Sequence, residues 1–579
     1  MDAGLLARVR RWMEEDPDPQ ARTELQGLID AGDEAELGDR FAGELEFGTA
    51  GLRGLLGAGP RRMNRAVVAR ATAGLCAELV ARVPDARERG LCIGFDARHG
   101  SRAFAEEVAA VAAGAGFTVR PFRDVVPTPL LAFAVRDAGA AGGVMVTASH
   151  NPPAYNGYKV YWEDGAQIVP PLDAAIAARI RGAGPAAALP RLDPEGRRAA
   201  GLERGLGDDV TDRYLEAVRT LVPHAGAARA IRIAHTALHG VGAPLVRAAL
   251  AEAGFGDVVE VREQAAPHPD FPTVAFPNPE EPGAMDRVLS LARQVDAQLV
   301  LANDPDADRL AVAVRDDRGE HVVLNGNQIG CLIGHYLLQE GAREARPLVI
   351  STVVSSPLLG RIAEAHGARF EQTLTGFKWI AHRALELERD EGLRFVFGYE
   401  EALGYCPGRV VRDKDGISAA VVVADMVDWY RSRGRTLLDV LQELAERHGL
   451  FASRQVSVMR EERGGHERIA EMMDALRHAP PDRLGGLDVV AVQDVLRSVR
   501  REPGGETAPL ALPPSDLLVL ELAGGHRAMV RPSGTEPKLK YYVDVRVPLQ
   551  PGEAAAAASA RGEALLDAIV GDLRAHVEG

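Results

Sequence analysis

The chain is short of cysteine, lacks any surplus of basic charge and has no long apolar run, and each shortage closes off a class of function. Its 579 residues hold four cysteines, Cys76, Cys92, Cys331 and Cys406, widely scattered and without a C-x-x-C pair. They read as reduced core thiols of a cytosolic setting, not as a disulfide framework. The formal net charge is -15. That argues against nucleic acid as a partner, and any anionic substrate has to be drawn in by a local cluster of Arg and Lys. The first residues, M-D-A-G-L-L-A-R-V-R-R-W-M-E-E-D, are amphipathic and charged without the apolar centre of a signal peptide, and no later run is long enough to span a bilayer. The expectation is a soluble intracellular, cytoplasmic protein with no membrane partner.

What is present is ordinary in bulk and particular in detail. Hydrophobic residues make up 46% and charged residues 26%, as in globular proteins, so the chain has the means to bury several cores. At roughly 150 residues per domain the length implies about four domains. A strand-helix-glycine-strand unit recurs three times. The first runs through strand Leu91 to Phe95, a helix from Arg102 to Ala113 capped by Ser101, and strand Phe117 to Val119. The second has strand Ala230 to His235, helix Pro244 to Glu252 and strand Val258 to Val261. The third has strand Leu348 to Val354, then Ser356 as cap with Pro357 opening a helix to Ala365. Their helix ends, V-A-A-G-A-G-F, L-A-E-A-G-F and A-E-A-H-G-A-R-F, are alike but unequally spaced. This predicts three α/β domains on one plan, not a solenoid. The Ala-, Gly- and Pro-rich stretch from Gly182 to Gly196 reads as a surface excursion or linker.

Five loops carry the candidate chemistry. In V-M-V-T-A-S-H-N-P-P-A-Y-N-G-Y-K-V-Y, a buried strand over Val144 to Val146 is broken by Pro152 and Pro153, which leaves Ser149 and His150 on a rigid loop past a strand end, with Lys159 beyond. An ordinary polar turn is the competing reading. In L-V-L-A-N-D-P-D-A-D-R-L-A-V, Asp304, Asp306 and Asp308 alternate between two strands. Carboxylates this close repel unless a cation sits among them, and three oxygens with open positions suit Mg²⁺. An EF-hand would need Gly and Glu where this chain has Arg309 and Arg315. L-T-G-F-K-W-I sets Thr375 and Gly376 before a helix that begins near Lys378, a fair place for an anion. G-Y-E-E-A-L-G-Y puts Glu400, Glu401 and Ala402 at a strand end, where the carboxylates can accept from sugar hydroxyls. R-P-S-G-T-E-P-K gathers Arg531, Ser533, Gly534 and Thr535 in one turn, a cradle for a phosphate dianion. A further glycine-rich stretch, F-G-T-A-G-L-R-G, offers Arg53 as another fork for phosphate.

T-A-S-H-N-P, D-P-D-A-D-R, G-Y-E-E-A-L-G and R-P-S-G-T-E-P, in this order, resemble the α-D-phosphohexomutase superfamily of phosphoglucomutases, phosphomannomutases and their relatives. F-G-T-A-G-L-R-G and T-G-F-K-W-I look most like its phosphoglucomutase-2-type branch, which includes phosphopentomutase-active members. The resemblance covers nearly the whole chain. It implies an α/β fold with three similar mixed-sheet α/β domains and a fourth, different α+β C-terminal domain around a central cleft, here apportioned as 1–205, 206–321, 322–450 and 451–579. It implies Ser149 as the phosphorylated serine, one Mg²⁺ per chain on Ser149, Asp304, Asp306 and Asp308, and catalytic roles for His150, Lys159, Arg309 and Lys378. Arg53, Thr375, Gly376, Glu400, Glu401, Ala402, Arg531, Ser533, Gly534 and Thr535 are the implied contacts to substrate. The substrate implied is a small sugar phosphate, with glucose 1-phosphate and glucose 6-phosphate first and mannose or pentose phosphates as alternatives, and glucose 1,6-bisphosphate is the implied activator.

Two departures from the family pattern bear on the sugar. Ala402 stands where many members have Ser, which removes a hydroxyl contact, and Tyr405 stands where some sugar-1-phosphate mutases have His. A sugar phosphatase of similar composition would have to activate water, usually with a second metal and more His ligands, and no such cluster surrounds Asp304. A non-catalytic sugar-phosphate sensor could dispense with Ser149 or the aspartates, yet all are present.

Overall fold

Three times a helix stops on alanine and glycine before an apolar strand, and each time the backbone does the same thing. Gly116, Gly254 and Gly367 take the left-handed φ values 83°, 94° and 66°. The amides that follow them, on Phe117, Phe255 and Ala368, reach back to Ala112, Leu250 and Ala363 at 3.0, 2.8 and 2.8 Å. Glycine makes this closure cheap because it has no Cβ to clash.

The computed structural model describes residues 2–46, 51–224, 229–341, 343–460, 465–533, 538–553 and 555–578. They form two compact units, one of residues 1–324 with 402–429 and one of 325–401 with 430–579. In the first unit, β1 (Leu52–Leu55), β2 (Leu91–Phe95), β3 (Val119–Pro121), β4 (Gly142–Val146) and β5 (Tyr155–Trp162) form a sheet in the order β1-β5-β4-β2-β3. Strands β2, β3 and β4 run parallel, and β5 is antiparallel to both its neighbours. The second sheet repeats this plan. It is built from β6 (Ile233–Thr236), β7 (Val258–Glu260), β8 (Leu299–Asn303), β9 (Leu310–Arg315) and β10 (His321–Leu324), ordered β10-β9-β8-β6-β7 with β9 antiparallel to β8 and β10. Strands β2, β4 and β8 are buried at every position, as parallel strands covered on both faces must be.

In the second unit, β11 (Pro347–Thr352) lies between β12 (Arg369–Thr373) and β13 (Arg394–Glu400), all parallel, a third use of the same arrangement. The rest of that unit is of another kind. Long antiparallel strands, among them Leu450–Met459, Lys538–Val547, His526–Pro532 and Leu518–Leu522, are covered by helices Gly465–His478 and Ala555–Glu578 through Met472, Leu476, Leu566, Ile569 and Leu573. Three mixed α/β layers and a distinct helix-on-sheet C-terminal part are thus present, as the sequence implied. Among the described residues no helix is long and apolar enough to cross a membrane.

The sequence reading needs correction in several places. Ser101 is the first residue of its helix, Ser101–Gly114, and caps nothing, because its hydroxyl donates to Asp96 at 2.6 Å. The strand placed at Phe117 to Val119 forms at Val119–Pro121, since Phe117 is spent on closing the preceding helix. The third helix is Leu358–Ala365, one residue later than expected, with Pro357 outside it. The Gly182 to Gly196 stretch is no free linker. Leu192 donates to the Ala110 carbonyl at 3.0 Å, Ala186 is buried, and the Pro190 carbonyl lies where a side chain at Gly114 would be. Small residues let this segment lie flat on the helix.

Gly157, on β5, is a further place where size is fixed by packing. A Cβ there would lie 2.5 Å from the Thr147 carbonyl oxygen and 2.8 Å from that of Leu52. Gly157→Ala is expected to destabilise the first unit by about 1–3 kcal/mol, read as a lower apparent Tm by calorimetry; an unchanged Tm would show that β5 shifts freely.

Candidate active site

Two loops of the first unit meet where parallel strands end. After β4 the chain cannot continue as a strand, and Ser149 adopts φ 51°, a left-handed conformation uncommon for a residue with a side chain. Its amide donates to Thr147 Oγ1 at 2.9 Å and its Oγ donates to Asp304 Oδ2 at 2.8 Å. His150 Nδ1 lies 3.2 Å from the same Oγ. Burial, with the neighbouring cations Arg309 and Arg53, holds the His150 pKa well below the usual imidazole range, so the ring is neutral near pH 7.

Asp304, Asp306 and Asp308 occupy the turn between β8 and β9. All three are buried, and they bring carboxylate oxygens within 4.8 Å of one another. Lys159 Nζ donates to Asp306 Oδ2 at 2.8 Å and to Asp308 Oδ2 at 3.1 Å, and Lys414 Nζ is 3.4 Å from Asp308. Burial opposes the charge on Lys159, but Asp306 and Asp308 outweigh it and raise its pKa. Burial and the two other carboxylates push Asp304 well above the carboxylate range, whereas Asp308 is held below it, against burial, by Lys159, Lys414 and Arg309. Arg309 donates its amide to Asp304 Oδ1 at 3.0 Å, and its guanidinium lies 3.5 Å from Glu280. Arg53, on β1, donates to Asn151 Oδ1 at 2.7 Å, and burial lowers its pKa to about 10.

The carboxylates suit a hard divalent cation. Asp306 Oδ1 and Asp308 Oδ1 are buried with no hydrogen-bond donor among the described residues, which is costly unless a cation completes them. Asp304, Asp306 and Asp308 are the only such cluster of potential ligands among the described residues.

The other candidates belong to the second unit. Gly376 has φ 114° and donates its amide to Glu400 Oε1 at 2.7 Å, so Glu400 at the end of β13 braces the turn that leads into helix Phe377–Glu391. Thr375 lies in that turn and Lys378 is buried in the helix's first turn. Glu401 Oε2 accepts from Thr352 Oγ1 at 3.1 Å and Ser355 Oγ at 3.0 Å. Arg531 and Ser533 lie at the end of a strand, where the Ser533 amide donates to the Lys538 carbonyl at 2.8 Å. Gly534 and Thr535, like Phe47 to Ala50 of the glycine-rich stretch, fall outside the described residues.

The sequence reading passed over several participants. Thr128 donates its hydroxyl to Asp306 Oδ2 at 2.6 Å and its amide to the Asp306 carbonyl at 3.0 Å. Asp413 accepts from Tyr161 at 2.7 Å and Gln167 at 2.6 Å, which sets Lys414 beside Asp308. The charged run R-D-K-D-G, Arg412 to Gly416, was the signal available for the second group. Thr128, between two prolines, carries no such signal.

Residues 44–185, 212–319 and 325–448 match, in turn, the phosphoglucomutase/phosphomannomutase alpha/beta/alpha domains I, II and III. The chain belongs to the phosphoglucomutase/phosphomannomutase family. It is 37% identical over 565 residues to a Schizosaccharomyces pombe protein named as a probable phosphoribomutase, covering 94% of each. It is 40% identical over 491 residues to a Haemophilus influenzae protein named as a probable phosphomannomutase, covering 84% of this chain and 93% of that one. The fold is shared with a phosphoglucomutase/phosphomannomutase family protein from Burkholderia thailandensis, at TM-score 0.64 and 19% identity over 91% of this chain and 96% of that one. The chain is accordingly an enzyme of the phosphomutase class, isomerases that move a phosphoryl group.

A raised Asp304 pKa means that its proton persists to higher pH and must leave before all three carboxylates can serve as ligands. Mg²⁺ affinity is therefore expected to rise with pH as Asp304 deprotonates, with proton release on binding. Titration calorimetry in two buffers of different ionisation heat measures both, and equal heats with a pH-independent affinity would contradict the assignment.

Proposed function

We propose that the protein is a phosphosugar mutase in which Ser149 carries the phosphoryl group, and that it interconverts glucose 1-phosphate and glucose 6-phosphate. The observation that carries this reading is the placement of a strained, buried serine hydroxyl 2.8 Å from one of three clustered aspartates. Mg²⁺ on Asp304, Asp306 and Asp308 would neutralise charge on the phosphoryl oxygens.

The chain's own groups supply the rest. A sugar hydroxyl attacks the phosphorus of phospho-Ser149 in line; the bond from phosphorus to Ser149 Oγ breaks and the new bond gives a sugar bisphosphate. The hydroxyl's proton needs an acceptor near the transferring group, and the neutral imidazole of His150, beside Ser149 Oγ, is suited to that task. Lys159, Arg309 and Arg53 surround the loop with positive charge, the complement of a transferring phosphoryl group. The return step hands the other phosphoryl group to Ser149, with glucose 1,6-bisphosphate as the activator that restores lost enzyme phosphate. Of the second unit's residues, Glu400 is the proposed acceptor for sugar hydroxyls, with Thr375, Gly376 and Lys378 beside it on the adjoining turn and helix. Arg531 and Ser533 are proposed for the phosphate that is not being transferred. Glu401, already engaged by Thr352 and Ser355, is better suited to shaping its loop than to holding sugar.

A pentose phosphate is the second reading. It is favoured by Ala402, which offers one hydroxyl fewer than the serine of many members, and by the name of the Schizosaccharomyces pombe relative.

With Mg²⁺ and a trace of glucose 1,6-bisphosphate, glucose 1-phosphate is expected to yield glucose 6-phosphate without free phosphate, measured beside ribose 1-phosphate and mannose 1-phosphate. Faster turnover of ribose 1-phosphate would select the pentose reading, and free phosphate as the main product would make the protein a hydrolase. Ser149→Ala is expected to abolish turnover while calorimetric binding of sugar phosphate persists, because the proposed phosphate cradle at Arg531 is untouched.

A further inference from the structure

The Ser149 loop is gripped from beneath by a side chain that does not belong to it. Arg98, on the loop after β2, has a fully buried guanidinium. One terminal nitrogen donates to the Ser149 carbonyl at 2.5 Å and the Asn151 carbonyl at 2.6 Å. The other donates to the Pro152 carbonyl at 3.0 Å and the Tyr155 carbonyl at 3.3 Å. Nε faces Asp96 Oδ2 at 3.3 Å, and the plane lies over the Phe271 ring with its central carbon 4.9 Å from the centroid. Four carbonyls, from Ser149 to the start of β5, thus converge on one planar cation.

Asp96 is fixed in turn. Its carboxylate accepts from Thr147 Oγ1 and Ser101 Oγ at 2.6 Å each and from the Arg98 amide at 3.0 Å. Thr147 Oγ1 also receives the Ser149 amide at 2.9 Å. The peptide groups on both sides of Ser149 are therefore held through one Asp96–Arg98 pair, the amide through Thr147 and the carbonyl directly. That double hold is what a left-handed φ at a non-glycine residue requires in order to persist.

Resting on the reading of Ser149 as phosphoryl carrier, we infer that Arg98 is a positioning residue for phosphoryl transfer: it keeps the serine turn in the one backbone shape that aims Oγ at the metal loop. Arg98 touches neither Ser149 Oγ nor the carboxylates of Asp304, Asp306 and Asp308 by any hydrogen bond, so its effect reaches the reaction through the loop backbone. A lysine cannot replace it, since a single ammonium has three donors around one point and no fork to span the carbonyls. A displacement of about 1 Å at a reacting atom costs on the order of 100-fold in rate.

The test compares wild type, Arg98→Lys, Arg98→Ala and Ser149→Ala. Two readouts are used: phosphoryl uptake at Ser149 from glucose 1,6-bisphosphate, followed by intact mass, and the steady-state kcat and KM. For Arg98→Lys a fall of at least 30-fold in uptake rate and in kcat is expected, with KM within three-fold and far-UV circular dichroism unchanged. For Arg98→Ala, millimolar guanidinium is expected to restore at least 10-fold of the lost rate, a response that a general loss of packing would not give. Should Arg98→Lys fail to fold, Asp96→Asn, which keeps the carboxylate's shape while freeing the guanidinium from its anchor, is expected to show the same loss in kcat at unchanged KM. Rates within three-fold of wild type in the folded variants, or a loss that tracks thermal unfolding and ignores guanidinium, would overturn the inference. Wild type that takes up no phosphoryl group, or takes it up equally in Ser149→Ala, would overturn the reading of Ser149 beneath it.

Discussion

The first unit depends on how a cluster of like charges is kept inside it. Three carboxylates within 4.8 Å of one another repel by about 3.5 kcal/mol per pair at an effective dielectric constant of 20. Three such pairs amount to roughly the whole stability of an ordinary domain. Lys159 on β5, Lys414 on the returning segment and the amide of Arg309 each offset part of this. The site is thus a fold element as well as a chemical one: the same lysine that closes the first sheet's loop to the second sheet's loop is the one that makes the aspartates tolerable. A divalent cation would take over work that Lys159 and Lys414 do without it.

Precision at the serine comes from a different source. The loop after β4 has carbonyls and an amide outside any strand ladder, and two side chains from just past β2, Asp96 and Arg98, collect them, the amide by way of Thr147. Both lie just past β2, the neighbour of β4, so parallel pairing alone brings them under the loop. Thr128, at the start of the helix that precedes β4, then ties the Asp306 backbone and side chain to the first sheet. Serine loop and metal loop are each held by residues from elements that were already adjacent for reasons of packing, and neither depends on its own short sequence alone for rigidity.

This division explains what could be read from the sequence. Loops such as D-P-D-A-D-R carry their chemistry in consecutive residues, so Ser149, His150 and the aspartates were legible, as were the three helix ends, whose closure is local. Arg98 was not, because its meaning lies in carbonyls 51 to 57 positions away that carry no residue type to read. Lys414 likewise reaches Asp308 only after the chain has left the unit and returned. Ser101 misled for a related reason: serine before a helix is a common cap, but here a buried carboxylate competes for the hydroxyl and wins. Of the two readings of 182–196, surface excursion and linker, only the second fails, because Ala and Gly signal flexibility in water and close approach when a helix of small residues lies beneath.

Residues 402–429 rejoin the first unit after 77 residues of the second have intervened. Asp415 receives the Tyr214 hydroxyl at 2.9 Å, Asp425 and Asp428 neutralise the buried Arg229, and the Gly416 amide bonds to the Ala307 carbonyl at 3.2 Å. During synthesis, then, the amino-terminal part cannot finish when its own last strand leaves the ribosome. Arg229 lacks its carboxylate partners and Asp308 lacks Lys414 until residues 414–428 have emerged, which makes the intervening stretch a timed delay during which a nascent chain is most open to chaperones or to misassembly.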